Sequence, residues 1–363
     1  MRVLAIDVGT GTQDILLYDS AEPVENSIQL IMPSPTLRIA RQVRAATAQR
    51  RPLVLRGVLM GGGPCHWAVN DHLAAGLSVQ ATAAAARTFD DNLANVEASG
   101  IQLIDDDAPA PPDAAEIVMR DLDLDAIGAA LQAFGVEPAW DVLAVAVFDH
   151  GNAPPDVSDR KFRFDYLAER LHNGGWLTDL AFARDAIPAE MTRLLAVAES
   201  APPATPLLVM DTAPAAVLGA LDDPRVAAHD ETIVTNIGNF HALAFHLAGR
   251  TIRGLFEHHT GELQPAQLDG FLTRLAQGGL TNDEIFHSQG HGALILDATP
   301  ARAPLLATTG PRQSFLQRWS LTNDAPYRAT PHGDMMLAGC FGLLRAVADR
   351  MREHRSEIER GLE

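Results

Sequence analysis

The chain has 363 residues, too many for one ordinary core and enough for two domains. Hydrophobic residues make up 47% and charged residues 20%, a globular balance rather than a disordered one. The net charge of −18 argues against a broad basic face for nucleic acid, two cysteines exclude a disulfide framework, and no apolar run approaches the ~20 residues that cross a bilayer.

Val3 to Ile6 is strand-like and runs straight into Asp7, without the charged, apolar and cleavage segments of a signal peptide. A cytoplasmic protein is the expectation. The segment continues Asp7-Val-Gly9-Thr10-Gly11-Thr12-Gln-Asp14, followed by a second strand-like run from Ile15 to Tyr18. Glycines directly after a buried strand mean close backbone approach, often to phosphate. A P-loop would need GxxxxGK[ST], and no lysine stands in this segment. A dinucleotide fingerprint would need a third glycine where Asp14 stands, and a helix where Ile15 to Tyr18 reads as a strand. What remains is a β-hairpin whose tip offers N–H groups and hydroxyls and whose first strand ends in a carboxylate. Such a hairpin can grip phosphate and hold hydrated Mg²⁺ through Asp7. On spacing alone, an ordinary Gly-rich hairpin with Asp7 satisfied by backbone donors is as good a reading.

Ser34-Pro35 predicts a capped helix start, with Ile39, Val43 and Ala46 on its buried face. Arg38, Arg41 and Arg44 lie elsewhere on that helix and read as a solvated face. Leu53 to Met60 is strand-like and runs into Gly61-Gly62-Gly63-Pro64, either a close approach to substrate or a tight turn into a helix. Asp105 to Pro112 is a loop. Val142 to Phe148 is a continuous apolar run, expected of a strand buried on both faces, and it stops abruptly at Asp149-His150-Gly151. Ligands bind beyond the carboxyl ends of such strands. Asp149 is therefore the first candidate for a general base, with His150 orienting it or binding substrate. Capping a loop or helix is the competing role for Asp149. A helix at about 189–199 and the Pro-rich stretch to Pro206 place a domain boundary between residues 1–203 and 204–363.

After that boundary, Leu207 to Met210 reads as a short buried strand ending at Asp211-Thr212. Thr232 to Ile237, Ala242 to Leu247 and Thr251 to Phe256 read as three strands separated by Gly-containing turns. The first two repeat the opening pattern, with Asn236-Ile-Gly238-Asn239 at the turn. Glu257-His258-His259-Thr260-Gly261 follows the third strand, and alternation keeps His258 and His259 out of one site while the strand lasts. His287 and His291 have zinc-like spacing, but Gly290 and Gly292 oppose a helix there and no third ligand is evident; a loop near the cleft is the favoured reading. Leu305 to Thr309 runs into Gly310, and Asp334 reads as the cap of a last amphipathic helix carrying Leu337, Phe341, Leu344, Met351 and Ile358 on one face.

Two such hairpins, one opening each half, predict two similar domains whose facing tips clamp a phosphate chain. At this point the residues carry a resemblance. Asp7 to Thr12 resembles the first phosphate motif of the actin-like superfamily of acetate and sugar kinases, actin and chaperone ATPases. Asn236 to Asn239 resembles the second, and Leu305 to Pro311 resembles the adenosine motif. The resemblance implies an α/β fold of two similarly folded actin-like (ribonuclease H-like) domains around a nucleotide cleft, with ATP and Mg²⁺ as cofactors. It implies Asp7 as the catalytic Mg²⁺-holding carboxylate. Gly9, Thr10, Gly11, Thr12, Asn236, Gly238 and Asn239 would lie on the phosphates, Gly310 beside adenosine, and Asp149 with His150 at the acceptor. The second motif normally begins with Asp; Asn236 carries no charge, which bears on hydrolysis more than on binding.

The chain also resembles a small prokaryotic family within that superfamily, through Met60-Gly-Gly-Gly-Pro64, Phe148-Asp-His-Gly151, Asp211-Thr212, Gly290-His291-Gly292 and Gly333-Asp334-Met-Met-Leu-Ala-Gly339. Members carry the label pyruvate formate-lyase activating enzyme. A radical activator of that kind needs three cysteines, typically CxxxCxxC, and Cys65 and Cys340 cannot form that site. The expected function is a nucleotide-binding phosphotransferase or ATPase acting on a small molecule. The alternatives are a non-catalytic nucleotide-binding regulator, motivated by Asn236, and a hydrolase using the Asp149 and histidine cleft without nucleotide. The expected partner is a small-molecule substrate, with no nucleic acid and no membrane, and a homodimer is the assembly entertained.

Overall fold

The computed structural model describes residues 1–172 and 174–362. Strand β1 (Arg2–Val8) is buried from Val3 onward, because its apolar residues face helices on both sides. It turns back into β2 (Thr12–Asp19), which pairs with it antiparallel, and β3 (Ile28–Pro33) completes a meander. Helix α1 (Pro35–Ala48) starts as expected: the Ser34 side chain accepts from the Leu37 N–H, and Pro35 fills the first turn. Arg41 and Arg44 on it are exposed, while Arg38 pairs with Asp123 at 2.7 Å.

The chain then leaves the first sheet for an inserted unit. It runs through β4 (Leu53–Gly57), α2 (Pro64–Ala74), β5 (Val79–Thr82), α3 (Ala83–Ala86), α4 (Leu93–Ala98), β6 (Ile101–Ile104) and β7 (Ala115–Met119). These strands form their own parallel sheet, in the order β6-β5-β4-β7. Its separate core packs Leu53, Leu55, Val79 and Ile117 against Ile39 and Val43. β4 stops at Gly57 rather than reaching Met60. Gly57 has φ +101, and a side chain there would meet the Met119 carbonyl.

The first sheet resumes after α5 (Leu124–Ala133) with β8 (Val142–Val147), buried throughout as its apolar run predicts. Then come α6 (Asp159–Leu171), β9 (Ala181–Ala183), α7 (Thr192–Ser200) and β10 (Leu207–Asp211). The sheet order is β3-β2-β1-β8-β10-β9, with β1, β8 and β10 parallel. β10 was expected to open the second domain. It pairs instead with β8, Leu207 opposite Leu143, so the first sheet extends past residue 203. A short apolar strand after a Pro-rich turn carries no mark of which sheet will take it.

Helices α8 (Thr212–Ala220) and α9 (Pro224–Ala227) lead to β11 (Glu231–Ile237), β12 (His241–Ala248) and β13 (Thr251–His259), the three strands expected. They are followed by α10 (Pro265–Ala276), α11 (Asn282–His287), β14 (Gly292–Ile295), β15 (Leu305–Thr309), β16 (Tyr327–Arg328), α12 (Ala338–Arg350) and α13 (Arg355–Leu362). The second sheet has the order β14-β13-β12-β11-β15-β16. Each sheet is an antiparallel three-strand meander whose first strand, β1 or β11, pairs on its other side with parallel strands. That repeated topology is the actin-like, ribonuclease H-like α/β architecture. The last helix breaks at Met351, so the single amphipathic helix expected there is two. Asp334 does not cap it: its carboxylate accepts from the Met336 N–H at 2.7 Å, and Leu337 stands at the cap.

α8 and α12 lie between the sheets and exchange sides. α8 leaves the first sheet and packs on β11 and β15 of the second, whereas α12 follows the second sheet and packs back on β1, β2, β8 and β10. Their backbones nearly touch. A Cβ at Gly219 would fall 1.8 Å from the Ala338 carbonyl oxygen, and one at Gly342 would fall 1.8 Å from that of Ala215. The core between the sheets joins Ala5, Ala144, Val234 and Phe245 to Leu218, Phe341 and Leu344 of these helices. Among the described residues, no helix is long and apolar enough to cross a membrane.

Candidate functional site

A cavity of about 510 Å³ opens between the two sheets and under the inserted unit. Two turns wall it. The Gly9 N–H donates to the Thr12 carbonyl at 2.9 Å, and the Gly238 N–H donates to the His241 carbonyl at 2.9 Å. The two hairpins are thus closed by the same bond, and Asn236 occupies in the second the position of Asp7 in the first. Their tips meet: a Cβ at Gly11 would lie 2.8 Å from the Asn239 side-chain nitrogen. Gly310 (φ +92) turns against the Asn236 side chain and the Ile237 carbonyl, where a side chain would not fit. Asp7, Gly9, Thr10, Gly11, Thr12, Asp149, His150, Asn236, Gly238, Asn239 and Gly310 all line this one cavity.

Asp7 sits on its floor. The Thr212 hydroxyl, at the start of α8, donates to Asp7 Oδ1 at 2.5 Å. Gly339 in the first turn of α12 packs on Oδ2 so closely that a Cβ would fall 1.9 Å away, which accounts for a glycine there. Hydroxyl and helix start, not the backbone donors considered from sequence, hold this carboxylate. Asp14 lies directly opposite Asp7 across the hairpin, and its Oδ1 is buried without a hydrogen-bond partner among the described residues. Burial raises the Asp7 pKa to about 7, against the lowering hydrogen bond from Thr212. Burial, and then the charge of Asp7, raise that of Asp14 to about 8. Two carboxyls on one floor, one with an orphan oxygen, fit a hydrated Mg²⁺, which prefers oxygen ligands and relieves their mutual repulsion.

Asp149 follows β8 at the cavity wall, and both its oxygens are engaged. Oδ1 accepts from the Gly151 N–H, and Oδ2 accepts from the Arg193 and Leu194 N–H groups, each at 2.9 Å. Helix α7 begins at Thr192 after Met191, which cannot cap it, and Asp149 supplies the cap from another strand. Burial pushes its pKa up while those N–H donors pull it down. The His150 ring contacts the Gly151 carbonyl through Nδ1 at 2.9 Å rather than orienting Asp149.

Sequence reasoning missed Arg163. On α6, this buried guanidinium meets Glu257 Oε2 at 2.5 Å, Asp211 Oδ2 at 2.9 Å and the Asp149 carbonyl at 2.8 Å. It bolts the ends of β8 and β10 to β13 of the other sheet. It also lies over the Phe148 ring, 4.5 Å from its centroid, and Phe148 stacks on His241 at 4.2 Å. The Met60–Pro64 loop comes down from the inserted unit. The Gly61 N–H reaches the Asp121 carboxylate at 3.2 Å, Arg193 binds the same carboxylate at 2.7 Å, and Gly63 packs on the Phe240 ring of the second hairpin.

The histidines regroup. His287 ends α11 with its Nδ1 on the Asp283 carbonyl at 2.8 Å, so it makes no pair with His291. His258 turns away from the cavity to Ser288, 2.9 Å from the carbonyl, as strand alternation requires. His259 faces the other way and stands opposite His241. These two and His291 hold ligand-capable atoms that all lie within 4.8 Å of one another.

The profile of the family described as "Putative pyruvate format-lyase activating enzyme (DUF1786)" matches residues 60–315. Comparison with curated proteins gives no match. Among solved structures, the ethanolamine utilization protein EutJ from Carboxydothermus hydrogenoformans aligns at 10% identity over 94% of this chain and 89% of that chain, with a TM-score of 0.33. The ROK hexokinase from Thermus thermophilus aligns at 11% identity over 97% of this chain and 100% of that chain, with a TM-score of 0.34. An exopolyphosphatase-like protein aligns at 10% identity over 97% and 90% of the two chains, with a TM-score of 0.28.

Proposed function

This chain belongs to the DUF1786 family, and we propose that it works as a nucleotide-binding phosphotransferase or ATPase of the actin-like type acting on a small molecule. The observation that carries this reading is the pair of hairpins, closed by the same glycine hydrogen bond and meeting tip to tip above Asp7 and Asp14. The N–H groups and hydroxyls of Gly9 to Thr12, with Gly238 and Asn239, hold the phosphates. Asp7 and Asp14 hold hydrated Mg²⁺, which supplies positive charge against the phosphate oxygens. The tight turn at Gly310, on the cavity wall, takes the nucleoside alongside it. Phosphoryl transfer asks mostly for positioning and electrostatics, and these residues supply both.

Asp149, with three N–H donors on its carboxylate, acts by positioning the wall at α7. His150 is the better acid–base group there. Its Nδ1 donates to a carbonyl, which leaves Nε2 free to accept a proton from the acceptor hydroxyl or water. Asn236 in place of a second carboxylate favours a second reading, a nucleotide-binding regulator with slow or no turnover. The activating-enzyme label of the family finds no iron–sulfur site in this chain, which has two cysteines. Cys65 and Cys340 are both buried, one on α2 and the other on α12, whose Sγ donates to the Asp14 carbonyl at 3.1 Å.

Thermal unfolding with ATP, ADP and Mg²⁺, on the wild type and Asp7→Ala, tests the reading. A ligand that binds only the folded chain at ~100 times its dissociation constant adds about 2.7 kcal/mol. A Mg²⁺-dependent rise in Tm that Asp7→Ala loses supports the clamp. No rise with any nucleotide at millimolar concentration rejects it, and a rise without phosphate release under turnover conditions selects the regulator.

A further inference from the structure

The phosphate clamp leaves one chemically distinctive group unused: the three histidines on the cleft side of the second sheet. They come from separate elements. His241 opens β12, His259 closes β13 directly opposite it, and His291 precedes β14. Their ring centroids lie 5.2, 5.1 and 4.5 Å apart. Phe148 stacks on one side of His241 with its plane within 8° of parallel, fixing that ring. Behind the group, Glu257 Oε1 lies 3.4 Å from His291 Nδ1. Both atoms are buried, and neither has a hydrogen-bond partner among the described residues. A carboxylate behind an imidazole holds the proton on the near nitrogen and leaves Nε2 as a lone-pair donor. It also sets the ring's direction and raises its basicity. The other Glu257 oxygen is held by Arg163, so this carboxylate cannot turn away.

We propose that His241, His259 and His291 form a binding site for a divalent transition metal of the zinc class, with a fourth position open to the cleft. Three neutral imidazoles suit zinc, copper, nickel or iron rather than Mg²⁺, which prefers oxygen. Three protein ligands with a free position are the arrangement of a reactive rather than a structural ion. Bonds of about 2.0–2.1 Å to a tetrahedral ion set nitrogens about 3.4 Å apart, so the rings rotate inward when the ion arrives. Of the three, His241 lines the cavity, and its backbone carbonyl closes the second hairpin turn. The open position therefore takes an oxygen ligand from the cleft: water, or an anionic oxygen of a bound small molecule. The site does not require that the cleft bind nucleotide.

The test uses the full chain stripped with a chelator. Zn²⁺ binding is measured calorimetrically, and Co²⁺ is titrated while its visible absorption is followed. The wild type is expected to bind one equivalent and to give the intense spectrum of tetrahedral Co²⁺. His259→Ala is expected to weaken binding at least ~100-fold and lose that spectrum. His287→Ala, an exposed histidine outside the group, is expected to keep both. Nucleotide-dependent stabilisation is measured on the same His259→Ala sample. Its persistence shows that the variant is folded and separates this site from the phosphate clamp; its loss is resolved by whether circular dichroism remains native. Zn²⁺ binding unchanged in folded His259→Ala, or only the weak spectrum of octahedral Co²⁺ in the wild type, overturns the proposal. Asp7→Ala that abolishes nucleotide binding and leaves the Co²⁺ spectrum intact shows two independent sites.

Discussion

Asp7 and Asp14 give the cavity floor a measurable pH dependence. The unfolded chain releases these protons near 3.8, whereas the folded chain keeps them to about 7 and about 8. Between those values the folded state binds more protons than the unfolded one, so stability falls as pH rises. The margin from these two groups is full below about 4 and lost progressively up to about 8. In metal-free buffer, Tm is expected to fall from pH 5 to pH 8, and Asp14→Asn is expected to flatten that slope. An equal slope in both proteins would show that other groups cause it. The place of Asp7 was legible in the sequence, because a strand ending in a carboxylate and a Gly/Thr turn fix where it goes; Asp14 was read only as the residue that breaks a dinucleotide fingerprint, and it joins the floor through the hairpin register. The histidine group was not legible. Counting back from the Ala248–Thr251 turn puts His258 across from His241. A bulge at His246/Leu247 shifts the register by one and brings His259 there instead. Nor does sequence reveal that Asp149 spends its oxygens on α7, since the donors lie more than forty residues away.

Helix α6 also ties the halves together, with Arg163 as its attachment. A buried guanidinium between two carboxylates contributes little over an apolar residue, but removing it alone leaves buried charge uncompensated. Arg163→Ala is expected to cost about 3–5 kcal/mol in urea unfolding. Arg163→Met combined with Glu257→Gln is expected to recover part of that, and a cost below about 1 kcal/mol for the single change would show that the ion pair is not buried in solution. The hairpins and β8 were readable because turn residues and burial on both faces leave strong local patterns. The inserted unit was readable only as alternating strands and helices. Nothing local in β4 to β7 states that these strands form a sheet of their own, just as nothing in Leu207–Asp211 selects the first sheet.

In the whole molecule, the two sheets are joined through the crossing of α8 and α12. Gly342→Ala forces the crossing apart, because the new methyl overlaps the Ala215 carbonyl. A loss of about 1–3 kcal/mol is expected on thermal or urea unfolding. Unchanged stability would mean that the helices slide freely. The exchange of these helices also has a consequence during synthesis. The first sheet is made early, yet the helix that covers the inner side of β1, β2 and β8 is α12, which follows every strand of the second. Emerging chain therefore cannot finish its first half before its second. Strands β1 and β8 gain their α12 partner only when almost all of the sequence has left the ribosome. A sheet left waiting in this way is open to wrong partners during that interval.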